Sequence, residues 1–203
     1  MIAVEETGFG GLRIEYDDSV LRPRPWTVRQ SEWAAELVAG GPDGRLLELC
    51  AGVGHIGLLA IARQPCPLVC VDVSAQACEL ARRNARANGL DDLVEVRHGA
   101  LEEALAPPER FALVIADPPW VRSGRTGDHP DDPVAAIDGG PDGLDVAREC
   151  LAVARRHLVA GGSLLLQLGD RSQVETLAAE TDLRLLEVRQ EDGGVLVHLA
   201  PPR

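Results

Sequence analysis

The sequence predicts an α/β protein: a mostly parallel sheet covered by helices on both faces, with an antiparallel last strand. Three observations carry this. Largely apolar runs at 45–50, 68–71, 93–97, 111–116 and 163–168 alternate with amphipathic stretches of helical period, the pattern of a parallel sheet covered by helices. The early runs end in glycine, acidic or proline punctuation rather than alternating polar residues. The last two runs, 183–188 and 195–199, are joined by Glu191-Asp192-Gly193-Gly194, a hairpin-type turn that reverses the final strand.

Taken in order, residues 1–26 read as an N-terminal arm with two short strands, near 12–16 and 20–21, and residues 27–203 as the main domain. A helix is expected over 27–39. Thr27 and Gln30 have capping-box spacing at its start, and Gly40-Gly41-Pro42 stops it. Strand 45–50 feeds a helix at 56–63, and strand 68–71 feeds a helix at 74–88 that ends at Asn88-Gly89. Strand 93–97 leads to a short polar helix at 101–104 and then to strand 111–116. A Gly/Pro/Asp-rich loop, 121–133, precedes a long helix at 143–158. Strand 163–168, helix 171–179 and the terminal hairpin complete the chain.

With 203 residues and 45% apolar content, the chain can bury one well-filled core. It has no apolar run long enough to span a bilayer, and its first residues lack the basic-then-apolar pattern of a secretory signal. Cys50, Cys66, Cys70, Cys78 and Cys150 are odd in number and lack zinc-knuckle spacing; they read as reduced thiols of a cytoplasmic protein, with no metal site expected. The net charge is −12 and every basic residue is Arg. Such a field repels a phosphate backbone, so a protein or small-molecule partner is favoured over nucleic acid.

Ligands of such a sheet lie beyond the strands' carboxyl ends, and two motifs fall there. Glu48-Leu49-Cys50-Ala51-Gly52-Val53-Gly54 runs from a strand into a glycine turn that opens a helix, and Asp72 ends the next strand, where a carboxylate suits ribose hydroxyls. Glu48 places an acid ahead of the turn, which suits a cationic sulfonium better than a pyrophosphate. The second motif is Asp117-Pro118-Pro119-Trp120 at the end of strand 111–116. Two prolines lock the backbone. The Asp117 carboxylate and the Pro118 carbonyl can then accept both hydrogens of a planar NH2 group, with Trp120 stacked on it. An amide nitrogen is a poor nucleophile, so orientation and electrostatics must carry the reaction. Together the motifs point to methyl transfer from S-adenosylmethionine to a planar nitrogen.

The chain resembles class I S-adenosylmethionine-dependent methyltransferases, and within them the HemK-type group that methylates a glutamine nitrogen. Val20-Leu21-Arg22-Pro23-Arg24-Pro25-Trp26-Thr27, Asp72-Val73-Ser74, Ala81-Arg82-Arg83-Asn84-Ala85, Asp117-Pro118-Pro119-Trp120 and Gly139-Gly140-Pro141-Asp142-Gly143-Leu144 carry the resemblance. It implies a Rossmann-like, doubly wound, seven-stranded sheet with a reversed last strand and a short N-terminal β-arm. The expected donor residues are Trp26, Thr27, Glu48, Cys50, Ala51, Gly52, Gly54, Asp72, Val73, Gly99, Ala100, Leu101 and Asp117. Those expected at the acceptor are Asp117, Pro118, Pro119 and Trp120. The best acceptor is a protein glutamine amide. The group's Asn-Pro-Pro-Tyr is Asp-Pro-Pro-Trp here, a form also typical of enzymes that methylate adenine amines. A base amine in RNA or DNA, served by a partner subunit, is therefore the alternative, and a non-catalytic module on the same fold is a third reading.

Overall fold

The computed structural model describes residues 3–202; Met1, Ile2 and Arg203, which belong to the expected 1–26 arm and 27–203 domain, lie outside the described residues. The N-terminal segment forms an antiparallel hairpin of β1 (Glu5–Phe9) and β2 (Leu12–Tyr16). The expected strand at 20–21 does not form. Its place is taken by β1, whose signal is the Gly10-Gly11 pair at φ 58° and 102°, the backbone a two-residue hairpin turn requires.

The main sheet has seven strands: β3 (Leu46–Leu49), β4 (Leu68–Asp72), β5 (Val94–His98), β6 (Phe111–Ala116), β7 (Leu158–Leu168), β8 (Arg184–Glu191) and β9 (Gly194–Ala200). Their order is β5-β4-β3-β6-β7-β9-β8. The pairs along β5-β4-β3-β6-β7 are parallel, while β9 runs antiparallel to both β7 and β8, as the terminal hairpin predicts. The helices are α1 (Val28–Gly40), α2 (His55–Arg63), α3 (Ala75–Ala87), α4 (Val134–Ile137), α5 (Asp145–His157) and α6 (Arg171–Glu180). One core layer sets Leu47, Leu49, Val114 and Leu166 against α5 and α6. The other sets Leu46, Ile115 and Leu165 against α1 and α2. Alternate strand residues thus serve opposite layers, the two-faced burial that continuous apolar strands imply.

Three local expectations differ. Thr27 and Gln30 form no capping box: Thr27 Oγ1 donates to Arg24 O (2.8 Å) and Gln30 Nε2 donates to Ala116 O (3.0 Å). Thr27 instead closes the preceding turn, and a tertiary partner in β6 takes Gln30. Residues 101–104 make only turns. β7 begins at Leu158, directly after α5 and five residues earlier than expected, because the left-handed Gly161 (φ 78°) lets the chain bulge without leaving the sheet.

Candidate active site

The carboxyl ends of β3, β4 and β6 open on two adjoining cavities. The first, about 400 Å3, is lined by Thr27, Cys50, Ala51, Gly52, Val53, Asp72, Val73, Ala100, Leu101 and Asp117 among others, with Val20, Leu21 and Arg24 from the arm. The second, about 380 Å3, is lined by Trp26, Asp117, Pro118, Pro119, Trp120, Gln167 and the β8–β9 turn. Leu21, Arg24, Asp117, Pro119 and Ala136 border both. Asp117 therefore stands at their junction.

The first cavity takes its shape from the glycine turn. Cys50 leaves β3 at φ 55°, a left-handed conformation that a non-glycine residue adopts only under constraint. Gly52 follows at φ 53° with open space where a Cβ would lie, so backbone faces the cavity directly. Asp72 holds this turn in place. Its Oδ2 accepts from Gly52 N (2.7 Å) and its Oδ1 from Ser74 N (2.8 Å), while the Ser74 hydroxyl caps α3 through Ala77 N (3.2 Å). Gly54 (φ 78°) and Gly99 do not line the cavity; Gly54 lets the start of α2 approach Ala81. His55 does line it. Burial lowers its pKa to about 4, so it is a neutral imidazole beside Thr27 Oγ1 (3.3 Å).

Two further expected donor residues, besides Gly54 and Gly99, sit elsewhere. Glu48 is 2% exposed and turns under α2. Its carboxyl accepts from Gly57 N (3.1 Å) and lies 3.4 Å from Cys70 Sγ, so close that a Cβ on Gly57 would collide with it. Burial raises its pKa to about 8. It is then neutral at pH 7 and offers no charge to a sulfonium; it braces the first turn of α2. The physical reason is strand alternation, which sends Glu48 to the helix face, and Gly57 within a helix was the available signal. Trp26 lines the second cavity instead of the first, with its indole against Gly193 of the β8–β9 turn.

The Glu48 geometry has a measurable consequence. Its folded pKa lies above the unfolded value near 4.5, so its stabilising contribution is complete below pH 4.5 and is lost as pH rises through 8. Glu48→Gln should therefore gain on the wild type by about 1.4 kcal/mol per pH unit between roughly pH 5 and 8. Denaturant melts at pH 5, 6, 7 and 8 read this difference directly; a constant offset would contradict it.

The second cavity is organised by Asp117-Pro118-Pro119-Trp120. Burial raises the Asp117 pKa to about 7, and among the described residues the Pro118 carbonyl accepts no hydrogen bond. The loop's rear is held by residues that sequence reading did not assign to the site. Gln173 Nε2 donates to Trp120 O (2.9 Å) and Asp142 O (3.1 Å). Val121 N donates to Ile137 O and Gly139 N donates to Val121 O, both at 2.9 Å. A Cβ on Gly139 would meet the Pro119 carbonyl, and one on Gly143 the Trp120 carbonyl. The Gly139–Leu144 segment is thus the scaffold of the proline loop. Arg24 Nη2 donates to Asp132 Oδ2 (2.5 Å) and ties the arm to the 121–133 loop across the cavity mouth. Within the 121–133 loop, Arg122 pairs with Asp170 (3.0 Å), Arg125 pairs with Asp128 (3.0 Å), and His129 borders the second cavity.

A family model described as "Methyltransferase small domain" matches residues 33–130. The chain is 32% identical to the ribosomal protein uL3 glutamine methyltransferase of Burkholderia pseudomallei, over 95% of this chain and 68% of that protein. It is 38% identical to the release factor glutamine methyltransferase of Deinococcus radiodurans, over 86% of this chain and 63% of that protein. The chain thus spans about two thirds of the length of these relatives. Among solved structures, the hMettl16 catalytic domain in complex with the MAT2A 3'UTR hairpin 6 superposes with a TM-score of 0.74 at 15% identity, over 94% of this chain and 76% of that one. That likeness concerns the fold.

Proposed function

Because the chain belongs to the HemK-type glutamine methyltransferases, we propose that it transfers a methyl group from S-adenosylmethionine to the side-chain amide of a protein glutamine. The observation that carries this reading is the position of Asp117, with one acceptor carboxylate bordering both cavities. The relatives named above act on ribosomal protein uL3 and on release factors, which are the first acceptors to test.

The first cavity fits the donor. Its volume suits a nucleoside-sized ligand, Gly52 leaves open space beside the turn, and Val73, 74% exposed, offers an apolar wall. Asp72, Val73, Ala51, Gly52, Cys50, Thr27, Ala100 and Leu101 would hold the nucleoside and amino-acid portions. S-adenosylmethionine supplies an electrophilic methyl carbon on a sulfonium; its sulfur keeps the bonding pair when that carbon moves. The chain's residues do the rest. The Asp117 carboxylate and Pro118 carbonyl accept the two amide hydrogens, fix the nitrogen's plane, and direct its electron pair toward the first cavity. Positive charge developing on nitrogen is met by the Asp117 carboxylate and by the Trp120 face. With a pKa near 7, Asp117 then takes the proton that the methylated nitrogen must shed. Trp26, Trp120 and the β8–β9 turn wall the acceptor from water.

Residues 27–203 are the methyltransferase domain in this reading, and the arm contributes cavity wall through Leu21 and Arg24. No helix among the described residues is long and apolar enough to cross a membrane, and a cytoplasmic site of action is part of the proposal. A base amine in RNA or DNA remains the second reading, favoured by the Asp form of the motif. Against it stand the net charge of −12 and the carboxylates Asp117, Asp132, Glu191 and Asp192 lining the second cavity, which oppose a phosphate backbone. Incubation with methyl-labelled donor and separate uL3, release factor, RNA and DNA, followed by peptide mass analysis, should place one methyl on a glutamine. Label confined to nuclease-sensitive material would overturn the proposal.

A further inference from the structure

Gln167 is a buried polar residue that the reading above leaves unused. It lies in β7, is 4% exposed, and lines the second cavity. Its neighbours Leu166 and Leu168 are fully buried in the core layer under α5 and α6, so alternation sends Gln167 to the opposite side. Its side chain makes no hydrogen bond with another described residue, although the site's other buried glutamines, Gln30 and Gln173, both do. Its amide atoms reach the cavity instead of a protein partner, so the polar groups of a bound ligand can complete them. Parallel pairing puts Ala116 beside Leu166, so the following residues, Asp117 just past the end of β6 and Gln167 still within β7, are neighbours at the carboxyl edge of the sheet.

We propose that Gln167 is the positioning residue that recognises the carbonyl oxygen of the acceptor amide. The inference rests on the amide-methyltransferase reading of this site. A primary amide presents two hydrogens and one carbonyl oxygen. In the carboxylate form that drives transfer, Asp117, like the Pro118 carbonyl, is an acceptor and serves only the hydrogens. The oxygen needs a donor. Among the donors that line the cavity, the Gln167 side-chain NH2 is the one whose strand register places it beside Asp117, with its own carbonyl free to accept in return. Three contacts fix the amide in one plane, where two would let it pivot about the Asp117–Pro118 line. An amine with no adjacent acceptor leaves Gln167 unpaired and is discriminated against.

Gln167→Leu keeps the bulk and removes the donor. Steady-state methylation is measured on uL3 or release factor, whichever the wild-type protein modifies, together with S-adenosylhomocysteine affinity and melting temperature. The expected result is a roughly 10- to 100-fold fall in kcat/KM, carried mainly by KM. S-adenosylhomocysteine affinity should stay within about two-fold, and the melting temperature should hold because no hydrogen bond within the protein is lost. Gln167→Met serves in the same way if the leucine variant does not fold. Unchanged kcat/KM in a folded variant overturns the inference and leaves the amide reading standing. A joint loss of stability, S-adenosylhomocysteine binding and activity assigns Gln167 a structural role and also overturns it. A wild-type protein that binds S-adenosylhomocysteine yet methylates neither protein overturns both readings.

Discussion

Asp117→Ala should lose methyl transfer by on the order of 100- to 1000-fold while binding S-adenosylhomocysteine within a few-fold of the wild type. The loss follows from position. Asp117 borders both cavities, so its removal deletes one of two acceptors that orient the nitrogen and the charge that faces it in the transition state, a contribution of the size seen for single oriented groups of this kind. Donor affinity rests on a different set of residues around Gly52 and Asp72. Single-turnover methylation and calorimetry on the same preparation separate the two effects. Asp117→Asn sharpens the test. The asparagine still accepts a hydrogen but cannot ionise. With the Asp117 pKa near 7, the wild-type rate should climb as pH rises from about 6 to 8 and the carboxylate forms; Asp117→Asn should be flat over that interval. A wild-type profile that falls with pH, or an asparagine variant that keeps the rise, would remove Asp117 from the chemistry.

Asp72→Ala should weaken donor affinity by roughly 30- to 100-fold, about 2–3 kcal/mol. Two effects combine. The ribose loses a carboxylate, and the turn loses its support, because Gly52 N and Ser74 N both donate to Asp72 at 2.7 and 2.8 Å. Asp72→Asn keeps one acceptor oxygen and should fall between the wild type and the alanine variant. The measurement is S-adenosylhomocysteine titration by calorimetry. Undiminished affinity in Asp72→Ala would show that the ligand leaves this carboxylate alone.

These residues also show how much was legible in advance. Asp72 and Asp117 could be placed at one edge because each directly follows an apolar strand, and strand ends in a parallel sheet share an edge. The Gly139–Leu144 stretch was legible as a marker of resemblance; its physical work, supporting the proline loop through the small profile of Gly139 and Gly143, was not. Nearness in sequence to the glycine turn suggests a donor contact for Glu48, but the strand's period of two directs its side chain under α2. The N-terminal hairpin pairs 5–9 with 12–16, not 12–16 with 20–21, because Gly10-Gly11 supplies the turn. Gln167 and Gln173 gave little sign in sequence, since a polar residue in an apolar strand or on a helix declares no partner by itself.

The chain's own pattern determined the kinds of element, their order, the reversal of the last strand and the two motifs that meet the ligands, because hydrophobic period, glycine turns and proline locks act over a few residues. The tertiary structure decided which of those residues face one another. Asp117 stands between two cavities, Trp26 lies on Gly193 and Gln167 flanks Asp117 because β6 pairs with β7 and β9 inserts between β7 and β8. Strand order follows from how whole layers bury their apolar faces, and no short stretch of sequence carries that balance.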